Sequence, residues 1–526
     1  MGFSANIPIN KLTDDVLGLL FEHVVQSAQK TTCDDPWYFM EDPLSEVTVS
    51  HVCTRWRALA LRSPRLWSSI TARSTSATHT QRFETYLERS KSRPLDIQIH
   101  LFESPQSPRG QVVQRLVRMA IQYAERWRQI FIATIESFTG LEEIQHLLRD
   151  RRAPYLECID FCFSVKGDTS GRIPVRGDWI VDNADSNHFQ PRIFSGGCPR
   201  LRYCSLNVAS SLFLFPPITT LTSLDLDFSE TPDLKLPIPW SLFKSIIEDN
   251  PLVTLSVGDN VVEHPAERTV IAPIIMEHLQ QLRWGRIRDL IWESPRSPNL
   301  FPKFISNLKA PSLQRLSLYG LQLPEQGRFV APFSNLKRIE FIDCTATADA
   351  WLDQLAEASP NVTEAVVTRV HIGDAIVRWM ATGHIADDDD DDDDGRDEVR
   401  YPWVHLQTLV HIPDELWDLD KLYPKLIAAR ADRLAQDGCR FTFKAPLWLF
   451  DEMRHANGLA RYANISALDF DAEFPVAMWP ADQTMDYRQG PGMYYCESES
   501  FAIRNSPLKL RTLGPKDVDE SDWEMN

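Results

Sequence analysis

Glycine is scarce in this chain, at 21 of 526 residues. No Gly-rich phosphate loop, Gly-x-Ser-x-Gly turn or His-Glu-x-x-His pair appears, so the common nucleotide, hydrolase and metalloprotease sites are excluded. No stretch approaches the roughly 18 consecutive apolar residues that a membrane-spanning helix requires. The opening MGFSANIP has neither a basic region nor an apolar one, and Asn6 stands where a myristoylation signal takes Ser or Thr. Regular cysteine spacing is missing too. Nine cysteines, an odd number, fit reduced thiols in a cytoplasmic or nuclear protein better than a disulfide framework. Asn361-Val-Thr363 and Asn464-Ile-Ser466 then read as chance sequons, not glycosylation sites. The 13 histidines are scattered, and Cys158-x-x-x-Cys162 lacks a second ligand pair at zinc-like spacing, so no metal and no cofactor is expected.

Positive charge is also short, with a formal net charge of −18. Half of that sits in one window, Asp387 to Glu398, which holds ten acids and one base, −9 in all. The eight aspartates from Asp387 to Asp394 repel one another and read as a disordered, solvated loop. They lack the Gly turn and the bidentate Glu spacing of a calcium loop. The remainder is only mildly acidic, which speaks against a nucleic-acid-binding face.

What the chain does have is apolar residues, 43% of the total, as is ordinary for globular protein, and a length of 526 residues that suggests two to four domains or one extended repeat domain with an attachment. Leu12, Val16, Leu17, Leu20, Phe21 and Val24 recur at helical spacing, with Thr13 placed as a cap and Asp14 and Asp15 in the first turn. Val49, Val52, Cys53, Trp56, Leu59 and Ala60 predict a second short helix, broken at Ser63 and Pro64 and followed by Leu66, Trp67 and Ile70. Between the two helices, residues 26–43 read as a loop whose Trp37, Tyr38 and Phe39 pack on something.

Leu12-Thr-Asp-Asp-Val-Leu-Gly-Leu-Leu-Phe21, then Val52-Cys-Thr-Arg-Trp56 and Pro64-Arg-Leu-Trp67, resembles an F-box, most of all those of mushroom-forming fungi. The resemblance covers about residues 7 to 70. It rests most firmly on Val-Cys-x-x-Trp followed 11 residues later by a second Trp. Thr13 departs from the usual proline and Asp15 from the usual glutamate, and the loop lengthens the module. Membership would imply docking to a Skp-type adaptor and, through it, to the cullin and RING subunits of a ubiquitin ligase. The matched positions that would form or support that interface are Leu12, Val16, Leu17, Leu20, Phe21, Val52, Cys53, Trp56, Leu59, Leu66 and Trp67. The same residues also fit a plain helical bundle packed on the next domain.

Beyond Pro94 a short motif recurs, as Leu156-x-x-Ile159-x-Phe161, Leu201-x-x-Cys204-x-Leu206, Leu221-x-x-Leu224-x-Leu226 and Leu252-x-x-Leu255-x-Val257. Leu313-x-x-Leu316-x-Leu318, Leu336-x-x-Ile339-x-Phe341 and Val362-x-x-Ala365-x-Val367 continue it, with weaker copies at Trp127, Leu279 and Leu406. Most copies lie about 20 to 35 residues apart. The motif predicts one short parallel strand per turn, with return helices such as Gln111 to Arg128 and Ala348 to Ala358. It resembles the irregular leucine-rich repeats that follow fungal F-boxes; an α/β sandwich is the alternative.

The expected fold is therefore α/β. A small helical F-box over residues 1–72 precedes an irregular leucine-rich-repeat solenoid with a curved parallel sheet over 73–480, carrying a disordered acidic insertion near 385–399. An irregular tail occupies 481–526, with Ser521 in an acidic, phosphorylation-like context. Spacer residues of the motif would line the concave face and meet a protein substrate, among them Asp160, Tyr203, Asn207, Asp225, Asp227, Arg315, Tyr319, Arg338 and Glu340. The implied role is a non-enzymatic substrate receptor of an SCF-type ligase with no nucleic acid or membrane partner; a scaffold that directs no ubiquitylation is the other reading.

Overall fold

A computed structural model of the chain describes residues 9–31, 44–72, 76–101, 110–134, 140–163, 191–227, 238–258, 261–263, 265, 271–285, 300–342, 344–346, 348–368, 375–382, 402–412, 423, 426–427, 430, 441–445 and 463–467. The expected acidic insertion, the aromatic cluster at Trp37 to Phe39 and the carboxy-terminal tail lie outside these residues. Two compact units divide the chain: residues 9–284 with 300–313, and a second drawn mainly from 314–467.

The first unit opens with helices. In α1 (Asp14–Thr31) the Leu17 amide donates to the Thr13 carbonyl at 3.0 Å, and Asp14 and Asp15 occupy the first turn, where the macrodipole favours acids. The helix runs on through Thr31, past residue 26, where the loop is expected to begin. No Gly or Pro interrupts residues 26–31, and nothing local stops the helix there. The second expected helix is in fact two, α2 (Ser45–His51) and α3 (Thr54–Arg62). Cys53 is extended, at φ −158° and ψ 170°, and its carbonyl accepts the Arg57 amide at 2.9 Å, which makes it the first flanking residue of α3. The break splits the presumed single apolar face. Val49 and Ala60 turn inward, Val52 and Cys53 outward.

A 3-10 turn, Pro64–Trp67, leads into β1 (Ser69–Ala72), which pairs in parallel with β2 (Leu95–Leu101). The point where the sequence suggests a domain boundary is thus the end of the first strand of a sheet. After β1 come α4 (Ala77–Arg89), α5 (Gly110–Gln122), β3 (Trp127–Thr134), α6 (Leu141–Leu148) and β4 (Cys158–Phe163). Residues Trp127 and Arg128, expected to close a return helix, instead begin β3, and the helix ends at Gln122. The unit continues with β5 (Tyr203–Asn207), α7 (Val208–Phe213), β6 (Ser223–Asp227), α8 (Trp240–Glu248) and β7 (Thr254–Gly258). Ser76 caps α4 and Asn207 caps α7 through their side chains.

Strands β1 to β7 pair in chain order, all in parallel. β9 (Gln281–Gly285) follows β7 in the sheet, while β8 (Ile274–Ile275) pairs with β10 (Leu308–Lys309), just after α9 (Phe301–Asn307). In each strong motif copy of this unit the leading leucine precedes its strand by two residues, so the same side chains face inward every time. Ile97, Ile130, Ile159, Cys204, Leu224 and Leu255 stand in one register row, and all are buried. Each large apolar member of such a row contributes about 1.5–3 kcal/mol of burial.

The second unit repeats the plan with β11 (Arg315–Tyr319), β12 (Arg338–Ile342), β13 (Glu364–Thr368), β14 (Thr408–Ile412), β15 (Phe441–Ala445) and β16 (Ala463–Ala467). They too pair in parallel in chain order. The return helix expected from Ala348 is α10 (Asp349–Ala358), and α11 (Ala375–Thr382) follows β13. A Cβ at Gly327 would come within 2.4 Å of Trp351 Cδ1, so only glycine lets that buried indole settle. Buried Arg430 donates to the carbonyls of Trp403 (2.8 Å) and Met380 (3.1 Å). Among the described residues no helix is long and apolar enough to cross a membrane.

Candidate functional site

Helix α1 is apolar on two sides, where the sequence suggests one stripe. Leu17, Phe21 and Val25, spaced four apart, are buried against the module. Val16 (42% exposed), Leu20 (41%) and Val24 (47%), also four apart, form a second line in solvent, with Leu19 (65%) beside it. Val52, at the break between α2 and α3, adds a further 57% exposed side chain. Of the ten large apolar side chains exposed among the described residues, seven lie between Ile9 and Leu61, so this surface is concentrated and not the scatter ordinary for globular protein.

The residues matched to the F-box pattern therefore divide by duty. Val16, Leu20, Val52 and Cys53 are exposed; Leu12, Trp56 and Leu59 are half-buried; Leu17, Phe21, Leu66 and Trp67 are core. Trp56 packs on Phe21 with ring centroids 4.8 Å apart, and its indole nitrogen is buried without a hydrogen-bond partner. Arg55 fixes the start of α3 to that of α1 by bonding Asp14 at 2.7 Å and the Leu12 carbonyl at 2.6 Å. Arg65 bonds Glu22 at 2.8 Å. Leu19, Val24 and Leu61 belong to the exposed surface without belonging to the matched positions; helical spacing places Leu19 and Val24 beside Val16 and Leu20.

A buried cluster ties this module to α4. The Tyr86 hydroxyl donates to the Glu46 carboxylate, and both residues are closed to solvent. The Trp67 ring meets Tyr86 edge-on at 5.1 Å, its N–H donates to the Ala60 carbonyl at 2.9 Å, and the Arg89 guanidinium lies 4.5 Å above it. Burial, and then the Glu46 carboxylate, push the Tyr86 phenol far above its ordinary range. Motif spacing gives no sign of Glu46 or Tyr86, because the pair joins residues 40 apart.

The outward strand positions expected to meet a substrate are largely closed. Asp160, Tyr203, Asn207 and Asp225 are buried. Asp160, Ser205 and Asp225 stand in one register row. Asn207 reaches back to the Phe163 carbonyl at 2.8 Å. Burial, followed by the Asp160 and Asp225 carboxylates, raises the Tyr203 phenol well above its usual range, and burial and Asp160 do the same to the thiols of Cys158 and Cys204. The Asp227 side chain lies outside the described residues. Strands buried on both faces are the rule for parallel sheets.

In the second unit, Arg315, Arg338 and Glu340 are brought together. Glu340 is buried, taking bonds from Arg315 and Arg338 at 2.6 Å each and from Ser317 at 2.5 Å, while Arg338 also bonds Glu364 at 2.7 Å. Burial opposes the charge on Glu340, but Arg315, Arg338 and Ser317 outweigh it and hold the carboxyl below the usual carboxylate range. Tyr319, at the far end of β11, is half-buried and takes no part in these bonds.

Among the described residues no group of three or more His, Cys, Asp or Glu side chains is placed to hold a metal ion. No protein-family model matches this chain, and no curated protein matches it either.

Proposed function

We propose that this chain is the substrate-recognition subunit of an SCF-type ubiquitin ligase. Its amino-terminal helices dock a Skp-type adaptor, which links it to cullin and RING subunits, and its strand-and-return units form an irregular leucine-rich-repeat solenoid that holds a protein substrate. Catalysis then comes from partners, and this chain contributes proximity. One observation carries the reading: the exposed second apolar line of α1, Val16, Leu20 and Val24, lies with Val52 in the segment that resembles an F-box. An amphipathic element of a partner buries such a surface at about 25 cal/mol per Å².

Recovery of the adaptor with the purified chain tests this. Val16→Asp combined with Leu20→Asp changes only exposed positions, so it is expected to abolish retention of the adaptor while leaving the thermal midpoint in place. Retention by that variant, or no retention by the native chain, defeats the proposal. Adaptor recovered without cullin supports the scaffold reading.

A further inference from the structure

Two segments of the first unit that pack side by side are rich in arginine. Residues 148–157 and 191–202 contain Arg149, Arg151, Arg152, Arg192, Arg200 and Arg202 against only Asp150 and Glu157, in a chain whose net charge is −18. The two segments are stitched together by backbone. Phe194, Ser195 and Gly196 donate to the carbonyls of Leu148, Arg149 and Arg151 at 2.9, 2.7 and 3.2 Å, and Ala153 donates to the Gly197 carbonyl at 3.1 Å. Gly197 makes the turn at φ +96°, a conformation other residues rarely adopt. The backbone that presents the arginines is therefore fixed before any partner arrives.

Five arginines elsewhere in this unit are engaged with acids: Arg55 with Asp14, Arg65 with Glu22, Arg115 with Glu84, Arg118 with Glu143 and Arg128 with Asp96. Arg149, Arg152, Arg200 and Arg202 are exposed and enter no ion pair among the described residues. The Arg200 guanidinium stands 5.7 Å over the exposed ring of Tyr155, which holds its plane beside an apolar edge. Asp150 is occupied by the Ser195 hydroxyl at 3.3 Å.

We infer that this arginine rim is a binding surface for an acidic peptide segment, its carboxylates received by the guanidiniums of Arg149, Arg152, Arg200 and Arg202 and a neighbouring side chain resting on Tyr155. Guanidinium forks match carboxylates in two-point geometry. A peptide fits better than nucleic acid. It can set acids opposite the arginines and uncharged residues opposite Asp150 and Glu157, whereas a phosphate backbone carries charge at every step and meets a chain that is acidic overall. The inference concerns binding alone and stands apart from adaptor docking.

Fluorescence anisotropy decides it, with a labelled Asp/Glu-rich peptide titrated by the full chain and by a version whose Asp387 to Asp394 run is replaced with Gly and Ser, which removes competition in cis. Binding is expected to weaken by about tenfold when Arg152→Ala and Arg200→Ala are combined, the loss of two charge-assisted contacts. It should also fall as salt rises, while Arg328→Ala, an exposed arginine of the second unit, changes nothing. No binding by either form, equal binding by the double variant, or tighter binding of a single-stranded oligonucleotide of the same charge overturns it.

Discussion

Trp56 and Trp67 stand 11 residues apart in the sequence and do different work. Trp67 is sealed under Tyr86 and Arg89 and joins the module to the sheet, whereas Trp56 is half-buried on Phe21 beside the exposed apolar surface. Spacing identifies both residues but not their duties, since burial is set by what folds over each from elsewhere in the chain. Cys198 makes a similar point. Burial pushes its thiol up to about 12, slightly offset by the backbone bond at Ala153. A folded-state value raised in this way gives stability that is fully present below about pH 9 and is lost as pH climbs towards 12. Urea midpoints measured across that range should decline, and Cys198→Ala should make the decline shallower. An unchanged slope would show that the thiol ionises as readily in the folded chain as in the unfolded one.

Among the elements, α1 has the most to say about function, because its two apolar lines predict opposite outcomes for similar substitutions. Leu17→Ala removes a fully buried side chain and should cost about 2–5 kcal/mol in urea denaturation. Leu20→Ala, at an exposed position one turn on, should stay within about 0.5 kcal/mol while weakening adaptor retention. Equal costs at the two positions would mean that the second line is covered within the chain. Helical periodicity registers both lines as apolar and cannot say which one faces out. The α2–α3 break was equally hidden, for the sequence around Cys53 holds no Gly or Pro. Arg55, reaching Asp14 and the Leu12 carbonyl, holds the start of α3 against α1 and so favours two short helices over one.

For the molecule as a whole, the consequential fact is that β1 belongs both to the helical module and to a sheet. A fragment ending at residue 72 loses β2 as the partner of β1 and Tyr86 as the cover of Trp67. It should show no cooperative thermal transition by circular dichroism, whereas one ending at residue 163, which keeps β2 to β4 and α4, should melt cooperatively. Cooperative melting of the shorter fragment would restore a boundary at 72. By itself the sequence determined the α/β class, the strand at each strong repeat motif and the apolar character of the amino-terminal helices, because periodicity and turn chemistry act over a few residues. The strands β1, β2, β8, β10, β15 and β16 escaped the repeat motif. Only the tertiary structure decided that outward acids such as Asp160 and Asp225 are buried, that Glu340 gathers Arg315 and Arg338, and that the rim arginines are left exposed. Those outcomes depend on contacts between residues tens of positions apart, and local pattern carries no record of which side chain another segment will cover.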